Sequence, residues 1–354
     1  MIDIALGGAF LGTGGGGDPY IGRLMAEQAI TANRPVDVLA ADQIDDDSLI
    51  VPVAMMGAPT VMLEKLPRGD EAIAALRALE AFLGRKASAI FCIEAGGLNS
   101  TIPIAVAAAA GLPIVDGDGM GRAFPELQMV SMTMYDVHAC PMVMSDEKGN
   151  ALVLNTVDNL STEKFARVIT VEMGGAGMIA LYPMTGAEAK RAMLRDSLSL
   201  IATIGRVIRS EQAANRNPAD RLAADLDGIR LFEGRVTDVE RRTEGGFARG
   251  QAKIEGLNDD VDQILTLKFQ NEFLIAETSD GRPLAMTPDL ICLLDLDTGQ
   301  PITTEQMAYG YRVIVFGLPC DPKWRSEHGL ELVGPQYFGY EHSYQPIETL
   351  TTNP

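Results

Sequence analysis

Apolar and polar positions in the first half of this chain follow two alternating periods. Short apolar runs at 36–39, 49–54, 88–93 and 113–115 end at Gly, Asp or Pro and predict buried strands. Between them the spacing becomes helical. Asp70 is placed to cap a helix whose apolar positions Ile73, Leu76, Leu79 and Leu83 recur every three to four residues, and Gly84 is placed to end it. Residues 100–110 are an alanine-rich helical stretch, with Pro103 in the first turn and Gly111 as the C-terminal cap. Strands alternating with helices predict a largely parallel sheet covered by helices. The stretch 142–155, broken at Glu147-Lys148-Gly149-Asn150, predicts a hairpin at an antiparallel edge.

The second half reads differently. Residues 186–226 are helical, with Leu194, Leu198, Ile201, Ile204 and Ile208 as one apolar stripe facing a core. From Ile229 onward, strand-like runs at 229–240, 247–255, 261–269, 272–278, 289–295 and 311–317 are separated by Gly245-Gly246, Asn258-Asp259, Asp280-Gly281 and Thr298-Gly299. Short strands with turn residues at this spacing predict a barrel or sandwich. The expected fold is an α/β N-terminal domain, mostly parallel sheet with helices, plus a β-rich C-terminal barrel or sandwich domain. The expected divisions are 1–165 for the α/β domain, 166–228 for a helical connector, 229–342 for the β-rich domain and 343–354 for a loose polar tail.

Composition narrows the function classes. The 354 residues are 47% hydrophobic and 22% charged, an ordinary globular balance. The net charge of −19 repels phosphate backbones, so nucleic acid is a poor candidate partner. Cys92, Cys140, Cys292 and Cys320 are far apart in mostly apolar surroundings, which predicts free thiols in a reducing compartment. The first residues carry no signal-peptide pattern and no apolar run is long enough to span a membrane. A cytoplasmic protein is expected. The apolar content and the second, β-rich region predict a homo-oligomer, a dimer first.

Three loops carry the candidate chemistry. Gly12-Thr13-Gly14-Gly15-Gly16-Gly17-Asp18-Pro19 can aim backbone N–H groups into one concavity, with Asp18 and Pro19 starting a helix over 20–30. Such a loop suits an anion or a carbonyl oxygen. It formally satisfies G-x-G-x-x-G, but the residues before it are spaced like a helix, where a dinucleotide site needs a strand. No Gly-Lys-Ser/Thr follows for a phosphate loop. The second loop is Glu94-Ala95-Gly96-Gly97-Leu98-Asn99-Ser100, leaving a buried strand, where a raised carboxyl serves as acid or base. The third is Asp116-Gly117-Asp118-Gly119-Met120-Gly121-Arg122. Its two aspartates can hold a hard cation, split into acid and base, or pair with Arg122. It is not an EF-hand loop, because its fifth and twelfth positions are Met120 and Leu127. The three loops are expected to border one cavity. His138 and Cys140 make a Cys–His nucleophile only if the fold brings them together.

Taken together, the run from Ala9 to Tyr20, Glu94 to Asn99, and Asp116 through Arg122-Ala123-Phe124-Pro125-Glu126 resemble the S-methyl-thiohydantoin desulfurase family over nearly the whole chain. The resemblance implies an α/β domain followed by a β-rich one, and association with hydantoinase- and oxoprolinase-like proteins. It implies hydrolysis at a carbon bearing two heteroatoms in a cyclic imide or thioimide. The alternative it leaves is a non-catalytic accessory or subunit that partners a hydantoinase- or oxoprolinase-like enzyme. No family catalytic set is carried over, so site residues come from the loops. Glu94, Asp118 and Arg122 are the catalytic candidates: a carboxylate activates water, and Arg122 with the glycine amides stabilises the anion. Thr13, Gly14, Gly15, Gly16, Asp18, Gly96, Gly97, Asn99 and Asp116 are the binding candidates for a small-molecule substrate. No metal ligand is assigned, although a divalent ion can take part of the same work, and the cofactor stays open.

Overall fold

The structure, a computed structural model, describes residues 1–57, 61 and 68–350. The chain opens with α1 (Ile2–Leu11), which is apolar on nearly every side and mostly buried. It can be enclosed because it crosses a later helix at two glycines. A Cβ on Gly7 would overlap the Ile201 carbonyl, and one on Gly205 would overlap that of Asp3. The glycine loop then leads into α2 (Pro19–Ala32), capped by Asp18, whose carboxylate accepts from the N–H groups of Tyr20 and Ile21 at 2.7 and 3.0 Å.

The first sheet follows. Its strands are β1 (Val38–Leu39), β2 (Leu49–Gly57), β3 (Ala89–Cys92) and β4 (Ile114–Val115), with α3 (Glu71–Leu83) and α4 (Ile102–Ala110) between them. β5 (Gly117–Asp118), α5 (Ser131–Met134), the hairpin β6 (Met142–Ser145) and β7 (Ala151–Leu154), α6 (Asn159–Glu172), β8 (Ala176–Ala180) and β9 (Met184–Thr185) continue the chain. The order is β1-β4-β3-β2-β8-β6-β7, with β9 beside β2. β1, β4, β3 and β2 run parallel, and β8, β6 and β7 extend the sheet antiparallel. The parallel strands bring the Glu94 and Asp116 loops out at one end, where open α/β sheets hold ligands.

Next come α7 (Gly186–Ala192), β10 (Leu194–Arg195), α8 (Ser197–Ala213) and α9 (Ala219–Asp225). The β-rich part comprises β11 (Ile229–Glu244), β12 (Phe247–Gly256), β13 (Ile264–Gln270), β14 (Glu272–Thr278), β15 (Pro283–Met286), β16 (Leu290–Asp295) and β17 (Arg312–Leu318). These form one antiparallel sheet, ordered β15-β14-β13-β12-β11-β17-β16. Register shifts in β11 between Arg230 and Phe232, and between Val236 and Asp238, help curl it around its own apolar core into a half-barrel. The two parts are not separate bodies, because Phe10 of α1 meets Phe316 of β17 edge-on at 6.2 Å within one continuous core. Among the described residues no helix is long and apolar enough to cross a membrane.

Both parts of the expected architecture are present, with several local corrections. Residues 166–228 are not purely helical, since β8 lies inside the first sheet. Leu194 is not on the helical stripe. It pairs with Asp118 in the β10–β5 ribbon, and α8 begins only after Asp196, whose φ of 61° breaks the helix. Asp70 does not cap α3 with its side chain, because its carboxylate is held by Arg68 at 2.7 and 2.8 Å. β15 was not expected, since a four-residue strand starting at a proline reads as a turn. The tail after Ser343 is docked through α11 (Ile347–Leu350), which follows α10 (Glu327–Val333). Tyr344 O–H and Ile347 N–H donate to Asp289 at 3.0 and 2.8 Å, and Ile347 is fully buried. Residues 351–354 lie outside the described residues.

Candidate active site

The glycine loop is clamped from two sides. Thr13, Gly14, Gly16 and Gly17 all have positive φ, at 50°, 90°, 76° and 78°. On one side the Thr13 carbonyl accepts from Phe273 N–H at 2.7 Å and the Gly14 carbonyl from Thr304 N–H at 2.9 Å. On the other, the Gly16 carbonyl accepts from Leu98 and Asn99 N–H at 2.8 and 3.3 Å. A side chain at Gly16 would run into the Gly96 backbone, one at Gly97 into Gly17, and one at Gly15 into Glu272. The carbonyls are therefore committed to the scaffold. The N–H groups of Gly16 and Gly17 donate to no acceptor among the described residues, and both residues line a cavity. Asp18 faces its own helix as a cap and does not line this cavity.

Glu94 lies at the end of β3 on the same cavity. Asn99 positions it: the amide donates to Glu94 Oε1 at 2.7 Å and also bridges Met55 N–H and C=O at 2.8 and 3.2 Å. Burial pushes the Glu94 carboxyl up to about 7, against the Asn99 bond that lowers it, and the charge of Asp118 pushes the same way as burial. A carboxyl so placed exchanges its proton near neutrality.

The third loop departs from expectation. Asp116 and Asp118 do not form a pair. The Asp116 carboxylate accepts from Ser199 N–H at 3.1 Å and from the Ser199 hydroxyl, at the start of α8. Asp118 Oδ1 accepts the N–H groups of Met120 and Gly121 at 2.8 and 2.6 Å, while Oδ2 is buried with no hydrogen-bond partner within bonding geometry among the described residues. Burial raises Asp118 to about 7 despite those donors. Arg122 clamps neither aspartate. Its Nε donates to Ala123 O at 3.0 Å, Nη1 to Pro288 and Asp289 O at 3.1 and 2.8 Å, and Nη2 to Thr13 Oγ1 and Phe273 O at 2.8 and 3.1 Å. All five guanidinium donors are thereby taken. The group is fully buried over the Phe124 ring, and Phe124 meets Trp324 edge-on at 5.1 Å. Arg122 is an interlock between the two halves with no N–H left for a ligand. Asp116, Asp118 and Arg122 stand behind the cavity, which this loop reaches through Met120.

The cavity is small, about 60 Å³. All three loops border it, through Gly16 and Gly17, Glu94 and Asn99, and Met120. Thr13, Gly14, Gly15, Gly96 and Gly97 shape its surroundings without lining it. Two charged lining residues outside the three loops were not expected. Glu272 starts β14, and burial and the nearby Glu94 charge raise its carboxyl well above the usual range. Arg167 projects from α6, with Nε on Glu163 at 2.7 Å and Nη2 on Pro125 O at 2.9 Å, leaving guanidinium donors uncommitted among the described residues. The Glu163–Arg167 spacing on one helix face was the available signal for Arg167. Glu272 gave none, because it reads as the first residue of the strand-like run 272–278 beside the polar Gln270-Asn271. His138 is exposed, and Cys140 Sγ instead lies 3.4 Å from the hydroxyls of Thr156 and Thr162. No group of three or more His, Cys, Asp or Glu able to hold a metal occurs among the described residues.

Comparison with known proteins covers the whole arrangement. Residues 1–156 match the model of the S-Me-THD-like N-terminal domain, and residues 157–347 that of the S-Me-THD-like C-terminal domain. The X-ray crystal structure of a protein from Chromobacterium violaceum is similar, with 26% identity, 98% of each chain covered and a TM-score of 0.78. No curated protein matches.

Two outcomes are expected from this geometry. Arg122→Ala strips several buried carbonyls of their donor and opens a void, so it should destabilise the fold by about 3 kcal/mol or more. Urea unfolding checks this, and a loss below about 1 kcal/mol would mean that Arg122 is not the interlock. Glu94 holds its proton to about 7 when folded, against a usual value of 4.5. Its contribution is therefore fully present below about 4.5 and is lost as pH rises through about 7. Unfolding free energies of wild type and Glu94→Gln, compared between about pH 5 and about pH 8, should diverge by up to about 3 kcal/mol, wild type weakening more. Parallel curves would show that Glu94 titrates normally.

Proposed function

This chain belongs to the S-Me-THD-like family, and from that premise we propose that it hydrolyses a cyclic imide or thioimide, an S-methyl-thiohydantoin or a related hydantoin-like compound. One observation carries the reading. Glu94, a carboxyl poised near neutrality, shares a small cavity with Gly16 and Gly17, whose N–H groups donate to no acceptor among the described residues. Glu94 takes a proton from water as its oxygen attacks the ring carbon that bears sulfur and nitrogen. The N–H groups of Gly16 and Gly17 face the charge that develops there. The carbon–sulfur bond then breaks, and methanethiol and the ring carbonyl are the products. Asn99 is a positioning residue for Glu94. Asp118 and Arg122 have no part in this reaction, the first facing its own turn and the second being fully bonded.

A second reading, that the chain assembles with its own copy or with a hydantoinase- or oxoprolinase-like protein, is favoured by a different observation. The outer face of α6 exposes Phe165, Val168 and Val171 at 58%, 63% and 52%. Apolar exposure of this kind marks interaction surfaces. The inner face of the same helix carries Arg167 to the cavity, so assembly there would brace the site.

Incubation with an S-methyl-thiohydantoin should release methanethiol, read with a thiol-reactive dye, and Glu94→Gln should lower the rate by about 100-fold or more. Undiminished release by that variant would remove Glu94 from the reaction, and no release by wild type from this or a related ring would remove the hydrolase reading. Light scattering at micromolar concentration should give a dimer that Val168→Asp converts to monomer. A wild-type monomer would count against self-assembly.

A further inference from the structure

We infer that Glu94 and Glu272, one from each half of the chain, form a single carboxyl pair across the glycine loop that shares one proton, with Glu94 the base and Glu272 the acid. The inference rests on the hydrolase reading for its substrate and on geometry for the pair. Both residues line the same cavity. Glu272 lies against Gly15, where any Cβ would overlap its Oε1, and Gly16 touches Gly96, two residues from Glu94. Only glycine at these positions lets the two carboxyls approach the cavity from opposite sides.

Their hydrogen bonds assign the roles. Glu94 Oε1 accepts from the Asn99 amide, which favours its ionised form. Glu272 is almost fully buried and its Oε2 has no hydrogen-bond partner among the described residues, which favours its protonated form. The charges facing the pair are Asp118 and Arg122 from the third loop and Arg167 from α6. The charges of Arg122 and Arg167 work against burial at Glu272 and do not outweigh it, and Arg122 has no guanidinium N–H left for either carboxyl. Glu126 also lines the cavity, but its carboxylate accepts from Tyr337 O–H and the Gln128 amide. Burial and the Glu94 charge both hold the Glu272 proton on.

Protons balance through the cycle. As water oxygen bonds to the ring carbon, the Glu94 carboxylate takes a water proton and the Glu272 carboxyl gives its proton to the ring nitrogen. As the carbon–sulfur bond breaks, the new hydroxyl returns a proton to Glu272, and Glu94 gives its proton to the departing thiolate. Methanethiol and a ring amide leave, and both carboxyls regain their starting states. The substrate is thus a neutral ring with a basic C=N nitrogen beside the carbon–sulfur bond.

The test is ¹³C NMR of glutamate carboxyls between about pH 4 and about pH 9 in the full chain, with Glu272→Gln and Glu94→Gln as reciprocal variants. Each keeps the shape of the side chain it replaces. The Glu94 charge faces Glu272, so Glu94→Gln should lower the Glu272 midpoint by about one pH unit or more, while Glu272→Gln, which replaces a neutral carboxyl, should leave the Glu94 midpoint near that of wild type. An unchanged Glu272 midpoint in Glu94→Gln would overturn the pair. On an S-methyl-thiohydantoin, Glu272→Gln should lower methanethiol release by about 100-fold and abolish the alkaline fall of the rate. Release within about threefold of wild type, with the fall intact, would overturn the acid role. If wild type releases no thiol, the hydrolase reading and the acid role both fail, while the NMR midpoints still decide the pair.

Discussion

A buried guanidinium bonds across the two halves of this protein, over and above the core they share. Arg122 leaves the N-terminal sheet and directs its donors to Thr13, Ala123, Phe273, Pro288 and Asp289. A buried arginine is tolerable only when its donors are satisfied and carboxylates lie near enough to balance its charge. Asp289 supplies part of that field. Asp289 in turn accepts from Cys320 N–H, Arg325, Tyr344 and Ile347, so the same interlock holds the C-terminal segment.

With the halves locked, the glycine loop becomes a rigid wall. Its carbonyls face β14 and the Thr304 loop on one side and the Glu94–Asn99 loop on the other. Positive φ at Thr13, Gly14, Gly16 and Gly17 is what allows one short segment to serve both neighbours. The cavity thus lies at the seam, with Glu94 from one half and Glu272 from the other. The similar structure from Chromobacterium violaceum covers both halves together, as do the two matched domain models.

The carboxyls at this seam behave differently from the rest of the acidic chain. The net charge of −19 resides mainly where water can solvate it. Glu94, Asp118 and Glu272 are buried, and burial is the largest influence raising each of them. Only two of these three reach the cavity. Asp118 holds a tight turn with one oxygen, and the β10 ribbon laid against that turn leaves the other oxygen enclosed.

Local patterning was enough to set the elements and the three loops that converge. Periodicity located β2, β3, α3 and most of the half-barrel strands, because a repeat of two or near 3.6 residues is written in consecutive side chains. The Asp18 cap and the Gly84 and Gly111 ends were legible for the same reason. Glu94 at the end of β3 was legible because a parallel strand delivers its following loop to the ligand-binding end. What Arg122 does was not legible. It lies near Asp116 and Asp118 in sequence, but apart from its neighbour Ala123 its acceptors are more than a hundred residues away. Glu272 and Arg167 were hidden likewise, for nothing local marks a side chain whose partner is supplied by another element. Which carboxyls face the cavity was settled only by the three-dimensional fold, because burial and facing charges belong to the folded chain and not to neighbouring letters.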